Sequence, residues 1–114
     1  MTIKGGPIMT SDYLDTKVKF LHGFANKIRV QILDELHDRE KTVSELMANV
    51  DGSQSSISQH LACLKDCGLV SARQDGKYVY YRLRNQKIHD LLDMFDFVLD
   101  DVEDSVRSCL HQIN

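Results

Sequence analysis

Apolar residues recur at helical spacing through most of the chain. From Ser11 onward, Leu14, Val18, Leu21 and Phe24 fall three or four apart, and Ser11 or Asp12 can cap the helix they predict. Asn26 can cap a second helix that presents Ile28, Ile32, Leu33 and Leu36 and ends near His37 or Asp38. Thr42-Val-Ser-Glu45 has the form of a capping box, opening a short third helix whose apolar residues are Val43, Leu46 and Met47, with Val50 packing just beyond. After a turn over Asn49 to Gly52, a fourth helix is expected from Ser53 or Gln54 to Cys67. It turns Ile57, Leu61 and Leu64 inward, and Gly68 stops it.

The period then changes from helical to alternating. Val70 and Ala72 on one run, and Val79, Tyr81 and Leu83 on the next, flank Gln74-Asp75-Gly76, where the Asp-Gly pair predicts a tight hairpin. From Asn85 or Gln86 a last helix should run to about Cys109, with Ile88, Leu91, Leu92, Phe95, Val98, Leu99, Val102 and Val106 apolar. So long and broad a stripe exceeds what one surface helix buries alone, and it reads as a dimer seam. The predicted fold is mainly α with a small β-hairpin: a winged helix-turn-helix of about five helices plus a two-stranded wing. Residues 1–10 read as a disordered leader, 11–110 as the domain and 111–114 as a C-terminal tail.

In a helix-turn-helix the second helix of the pair enters the major groove by its first turns. Here those turns carry Ser53, Gln54, Ser55, Ser56, Ser58, Gln59 and His60, short donors and acceptors suited to base edges and phosphate oxygens. The hairpin adds Arg73, Lys77 and Arg82 as phosphate or minor-groove contacts. Tyr78, Tyr80 and Tyr81 fit strand packing better than base stacking.

Taken as a whole, a net charge of -3 is ill suited to a DNA-binding chain. Divided along the sequence, it fits. Residues 53–87 hold six basic side chains (Lys65, Arg73, Lys77, Arg82, Arg84 and Lys87) against Asp66 and Asp75, whereas residues 88–114 hold seven acidic ones against Arg107. One part of the surface is thus equipped for phosphate, and Asp100, Asp101, Glu103 and Asp104 suit a solvated helix face. With no apolar stretch of transmembrane length and no signal-peptide pattern, a cytoplasmic protein with no membrane partner is expected.

Three cysteines do not suggest a disulfide framework. Cys63 and Cys67 lie four apart on one helix face, beside Ser56 and His60, and two such thiols can reach one metal ion. Cys109, from its own subunit or its neighbour's, could add a third ligand. Three thiolates favour soft ions such as cadmium, lead or trivalent arsenic. Zinc would need His60, His111 or water to complete its shell. The alternative for each cysteine is a small core hydrophobe.

Ser55-Ser-Ile-Ser-Gln-His-Leu-Ala-Cys-Leu-Lys-Asp-Cys-Gly-Leu-Val70, followed by Arg73-Gln-Asp-Gly-Lys-Tyr-Val-Tyr-Tyr-Arg-Leu83, resembles the ArsR/SmtB family of metal-responsive repressors. Phe24-Ala-Asn-Lys-Ile-Arg-Val-Gln-Ile-Leu33 is similar to that family's second-helix signature. The likeness spans roughly residues 15–110. It implies a winged-helix homodimer, joined through its first and last helices, on double-stranded operator DNA. The His60-Leu-Ala-Cys-Leu-Lys-Asp-Cys-Gly-Leu-Val70 run is closest to the CmtR-like cadmium/lead sensors of that family, which implies Cys63, Cys67 and Cys109 as the metal ligands. Two other metal sites of the family do not transfer: Ser44 to Asn49 lacks paired cysteines, and the last helix lacks the histidines of the zinc site.

The function expected is therefore a repressor released from its operator when a soft metal, cadmium or lead foremost, binds the recognition-helix thiolates. Two alternatives keep the fold: a thiol redox or persulfide switch, and a non-sensing DNA-binding module. An enzyme is not expected, nor a small organic substrate. The sequence contains no nucleophile elbow, phosphate loop or His-Glu-x-x-His motif.

Overall fold

The computed structural model describes residues 11–113, with side chains through Cys109. The leader assigned to residues 1–10 lies outside the described residues. The elements run α1 (Ser11–His22), α2 (Lys27–Asp38), α3 (Val43–Met47), α4 (Gln54–Asp66), β1 (Val70–Asp75), β2 (Tyr78–Leu83) and α5 (Gln86–Ile113). This is the expected winged helix-turn-helix: five helices and a two-stranded antiparallel hairpin. Residues as far as Arg84 form one compact unit and α5 belongs to a second.

Local chemistry sets the helix boundaries. The Asn26 side chain accepts hydrogen bonds from the backbone of Ile28 (2.9 Å) and Arg29 (3.2 Å), starting α2. The Thr42 capping box is complete: its hydroxyl accepts from the Glu45 N–H at 3.2 Å, and the Glu45 carboxylate accepts from the Thr42 N–H at 2.9 Å. So short a helix depends on its cap. Thr42→Ala is expected to cost about 1 kcal/mol, read as a lowered midpoint in urea. At the end of α4, Gly68 N–H donates to the Lys65 carbonyl (3.1 Å) and Leu69 N–H to Leu64 (2.9 Å), a Schellman motif that needs the positive φ of 80° at Gly68.

The core of this unit lies where α2, α3, α4 and the hairpin meet. Ile32, Leu33 and Leu36 of α2, Leu46 of α3, and Ile57, Leu61 and Leu64 of α4 are all buried, as the helical spacing predicts. Val50 closes one edge and Leu69, Val70 and Leu83 another. Met47, the last residue of α3, is 43% exposed.

The hairpin turn sits later than the Asp-Gly pair suggested. Asp75 pairs with Tyr78, so Asp75 is the last strand residue and the loop is Gly76-Lys77. Gly76 takes a positive φ of 65° while Lys77 does not, which is the pattern of a turn needing glycine at its first central position. Lys41 adds a one-residue third strand: its N–H donates to the Tyr81 carbonyl (2.9 Å), and Tyr81 N–H donates back (2.8 Å). The buried Lys41 ammonium donates to Glu35 at 2.7 Å, and Asn49 donates to the same carboxylate at 3.1 Å. These donors, Lys41 foremost, hold the Glu35 carboxyl below its usual range and tie the wing to α2 and α3.

In the second unit α5 continues to Ile113, through residues assigned to the tail. From Phe95 onward its apolar stripe is open to solvent: Phe95, Val98, Leu99, Val102 and Val106 are exposed, whereas Ile88 and Leu92 are buried; on α1, Leu14, Val18 and Leu21 are exposed. Among the described residues no helix is long and apolar enough to cross a membrane.

Candidate nucleic-acid interface and thiol pair

Helix α4 has three longitudinal faces. Ile57, Leu61 and Leu64 are buried. Gln54, Ser55, Ser58 and Gln59 are exposed, forming a polar row free to meet DNA. Between them runs a half-buried stripe at i, i+4, i+7 and i+11: Ser56, His60, Cys63 and Cys67. Ser53 has a local task, since its hydroxyl accepts from the Ser56 N–H at 3.1 Å and caps the helix. Of the predicted reading residues, Gln54, Ser55, Ser58 and Gln59 thus lie on the face adjacent to the thiols, whereas Ser56 and His60 share the thiol stripe itself, all on one rigid element.

The wing cations differ in how far they are engaged. The Arg73 guanidinium makes a two-point contact with Glu40: Nε to Oε1 at 3.0 Å, and Nη2 to Oε2. Its Nη1 lies 3.5 Å from Asp75 Oδ2, and its plane sits 4.7 Å from the centre of the Tyr80 ring. Arg73 in turn holds the Glu40 carboxyl below its usual range. Arg82 Nε donates to Ser71 Oγ across the hairpin at 3.3 Å, while Lys77 at the tip lies over Tyr78, 5.7 Å from the ring centre. Among the described residues Lys77 thus has no carboxylate beside it, whereas Arg73 has two.

The thiol pair has a neighbour that spacing along α4 could not reveal. Arg29 of α2 donates from Nη1 to Cys63 Sγ at 3.4 Å. Its buried Nε has no hydrogen-bond partner among the described residues. A signal did exist in the sequence: Arg29 falls three, four and seven before Ile32, Leu33 and Leu36, so a cation sits in register with the apolar face of α2. Burial pushes the Cys67 thiol up, and the adjacent Cys63 pushes it further, against a smaller opposite pull from Lys19 and Arg29. All three cysteines are free thiols, and Cys109 is exposed on α5. Among the described residues no group of three or more His, Cys, Asp or Glu is arranged to hold a metal. The structure thus pairs Cys63 with Cys67 as two adjacent soft donors, a set that fits a thiophilic ion and offers little to a hard one.

Comparison with known proteins accounts for this arrangement. Residues 26–72, from the α2 cap into β1, match the family model described as bacterial regulatory protein, arsR family. The transcriptional activator HlyU of Vibrio cholerae is 35% identical over 95 residues, covering 81% of this chain and 88% of that protein. The chain belongs to the ArsR family. A second relative, a probable mercury resistance operon repressor of Streptomyces lividans, is 37% identical over 78 residues, 68% of this chain. The match spans 62% of that protein's length. Among solved structures, the homodimeric winged helix-turn-helix DNA-binding domain Mb0332 of Mycobacterium bovis superposes with a TM-score of 0.75 at 29% identity, covering 87% of this chain and 92% of that one. The chain is thus a winged-helix transcriptional regulator of the ArsR type.

Proposed function

We propose that this regulator is a cytoplasmic, homodimeric, metal-responsive repressor that binds operator DNA and is released when a soft metal ion binds Cys63, Cys67 and Cys109. The carrying observation is the three-faced α4. The thiol stripe and the polar reading row lie on one helix, so a ligand gripping Cys63 and Cys67 acts directly on the element that meets the major groove. Cadmium or lead fits three thiolates best; zinc and trivalent arsenic remain the neighbouring chemistries. The mercury repressor among the relatives supports a soft-metal inducer. The solvent-exposed stripes on α1 and α5 support a dimer through those helices.

In DNA recognition, Ser53 fixes the start of α4, and the row Gln54, Ser55, Ser58 and Gln59, with Ser56 and His60 at its edge, faces the bases. Lys77 and Arg82 reach phosphates from the wing. Arg73 joins them only by exchanging Glu40 for a phosphate. Glu40→Gln is therefore expected to tighten DNA binding and to steepen the salt dependence by about 0.9 per released contact, measured by fluorescence anisotropy over a range of salt concentrations. An unchanged slope would place Arg73 away from the phosphates.

The metal supplies a covalent tie between α4 and the third thiol's helix; Cys63 and Cys67 hold the α4 end of it. The coupling needed for release is about 1–3 kcal/mol. The test is a cadmium titration of the reduced protein, following thiolate-to-metal charge-transfer absorbance together with anisotropy of a labelled fragment from its own promoter. One metal per subunit with concurrent loss of DNA binding supports the proposal. Saturation with DNA affinity intact refutes the release mechanism, and release by oxidant alone moves the thiols to redox sensing.

A further inference from the structure

Arg29 has no role in the reading above, yet it is placed at some cost beside the thiols. Its Nη1 donates to Cys63 Sγ at 3.4 Å, its Nε is buried with no partner among the described residues, and it comes from α2 rather than from the thiol helix. A buried donor left unpaired is a penalty that packing alone does not explain. An arginine guanidinium, moreover, is a permanent positive charge.

The consequence follows from counting charge. A divalent ion that binds three thiols releases three protons and leaves a tris-thiolate complex of net charge −1. Arsenous acid binding the same thiols exchanges its three hydroxyls for sulfur, releases three waters and leaves a neutral complex. In both cases the bonds to sulfur are alike and no electrons are transferred. The two products differ in whether a cation alongside them is stabilising.

We propose that Arg29 is the specificity-determining residue of the thiol site, its guanidinium beside Cys63 selecting ions whose tris-thiolate complex is anionic, which is to say divalent soft ions over trivalent arsenic. This rests on the three-thiolate reading above. Lys19 of α1, the other cation felt at Cys67, adds charge of the same sign. The hydrogen bond need not break on binding, because a metal-bound thiolate still accepts one, and a partner that fixes a ligand's orientation normally strengthens the site.

The test is a comparison of cadmium and arsenite on the reduced full-length protein, with affinities from competition against a chromophoric chelator or dithiol and with proton release recorded in parallel. Arg29→Met removes the charge while keeping an apolar stem and deleting the unpaired donor, so the fold should survive; far-ultraviolet dichroism verifies it. The ratio of cadmium to arsenite affinity is expected to fall about tenfold or more in Arg29→Met, and to be largely restored in Arg29→Lys. A purely structural role for Arg29, or a general change in thiol availability, would weaken both ligands together and leave the ratio fixed. An unchanged ratio, with wild type binding one cadmium per subunit through three thiolates, overturns the role of Arg29 and leaves the metal-sensor reading intact. If wild type binds neither ligand, that reading falls and this inference falls with it.

Discussion

Leu64→Ala is expected to destabilise the protein by about 2–5 kcal/mol, enough to remove a large share of the roughly 5–15 kcal/mol that holds a small domain together. Leu64 is fully buried at the C-terminal end of α4, where that helix packs on α2 and runs into β1. The side chain packs at a corner that the backbone also closes. The truncated side chain leaves a cavity lined by neighbours fixed on several elements, which cannot all collapse into it. The Leu64 carbonyl also accepts the Leu69 N–H that closes the Schellman motif, and Leu69 is itself fully buried above it. Loosening this corner shifts the path from α4 into the wing, so DNA affinity should fall with stability. Urea unfolding at fixed protein concentration measures the first effect, and anisotropy at a temperature where the variant is still folded measures the second. The concentration must be held constant because dimerisation adds to the apparent stability. A midpoint within error of wild type would mean that the core is not centred on α4.

The elements that could be read from sequence were those whose signals are local. Thr42 and Glu45 are three residues apart, Asn26 caps the residues that follow it, and Gly68 sits directly after the helix it ends. Each is decided within one or two turns. The turn at Gly76-Lys77 was misplaced by its most local cue. Asp75-Gly76 has the composition of a two-residue loop, but the register that pairs Val70 with Leu83 is set by burying those two residues, and it draws Asp75 into the strand. A five-residue helix such as α3 has too few turns for its periodicity to fix a face, and Met47 at its end is exposed. Partnerships between distant residues were not legible as pairs. Arg29 meets Cys63 across 34 residues, and Arg73 meets Glu40 across 33. The first leaves a trace, a charge in register with an apolar stripe. The second leaves none, since two exposed charges of opposite sign occur throughout this sequence and only the folded wing selects the pair.

Cys67→Ser is expected to weaken cadmium binding by a hundredfold or more, on the order of what replacing a soft ligand by a hard hydroxyl costs, while metal-free DNA binding stays close to wild type. The change is nearly isosteric, and Cys67 contributes to the fold chiefly through its backbone, as the C-cap whose N–H donates to the Cys63 carbonyl at 3.0 Å. Its side chain lies on the half-buried stripe, away from the reading row, so loss of the sulfur should leave the DNA-facing surface intact. In wild type the thiol is pushed up by burial and by Cys63 and is therefore protonated at neutral pH, so a metal must displace a proton there. Cadmium affinity should accordingly rise with pH through the neutral range, and the slope should drop by about one proton in Cys67→Ser. Isothermal titration in two buffers of different ionisation enthalpy reads that proton count directly. Cys109→Ser provides the contrast. As the third ligand it should lower affinity and abolish release together; an unaffected response would reduce the site to the α4 pair, and two thiols on consecutive turns of one helix tie that helix to nothing else. Release from DNA requires a ligand that joins α4 to another element, so the behaviour of Cys109→Ser decides whether the pair on α4 senses metal or merely binds it.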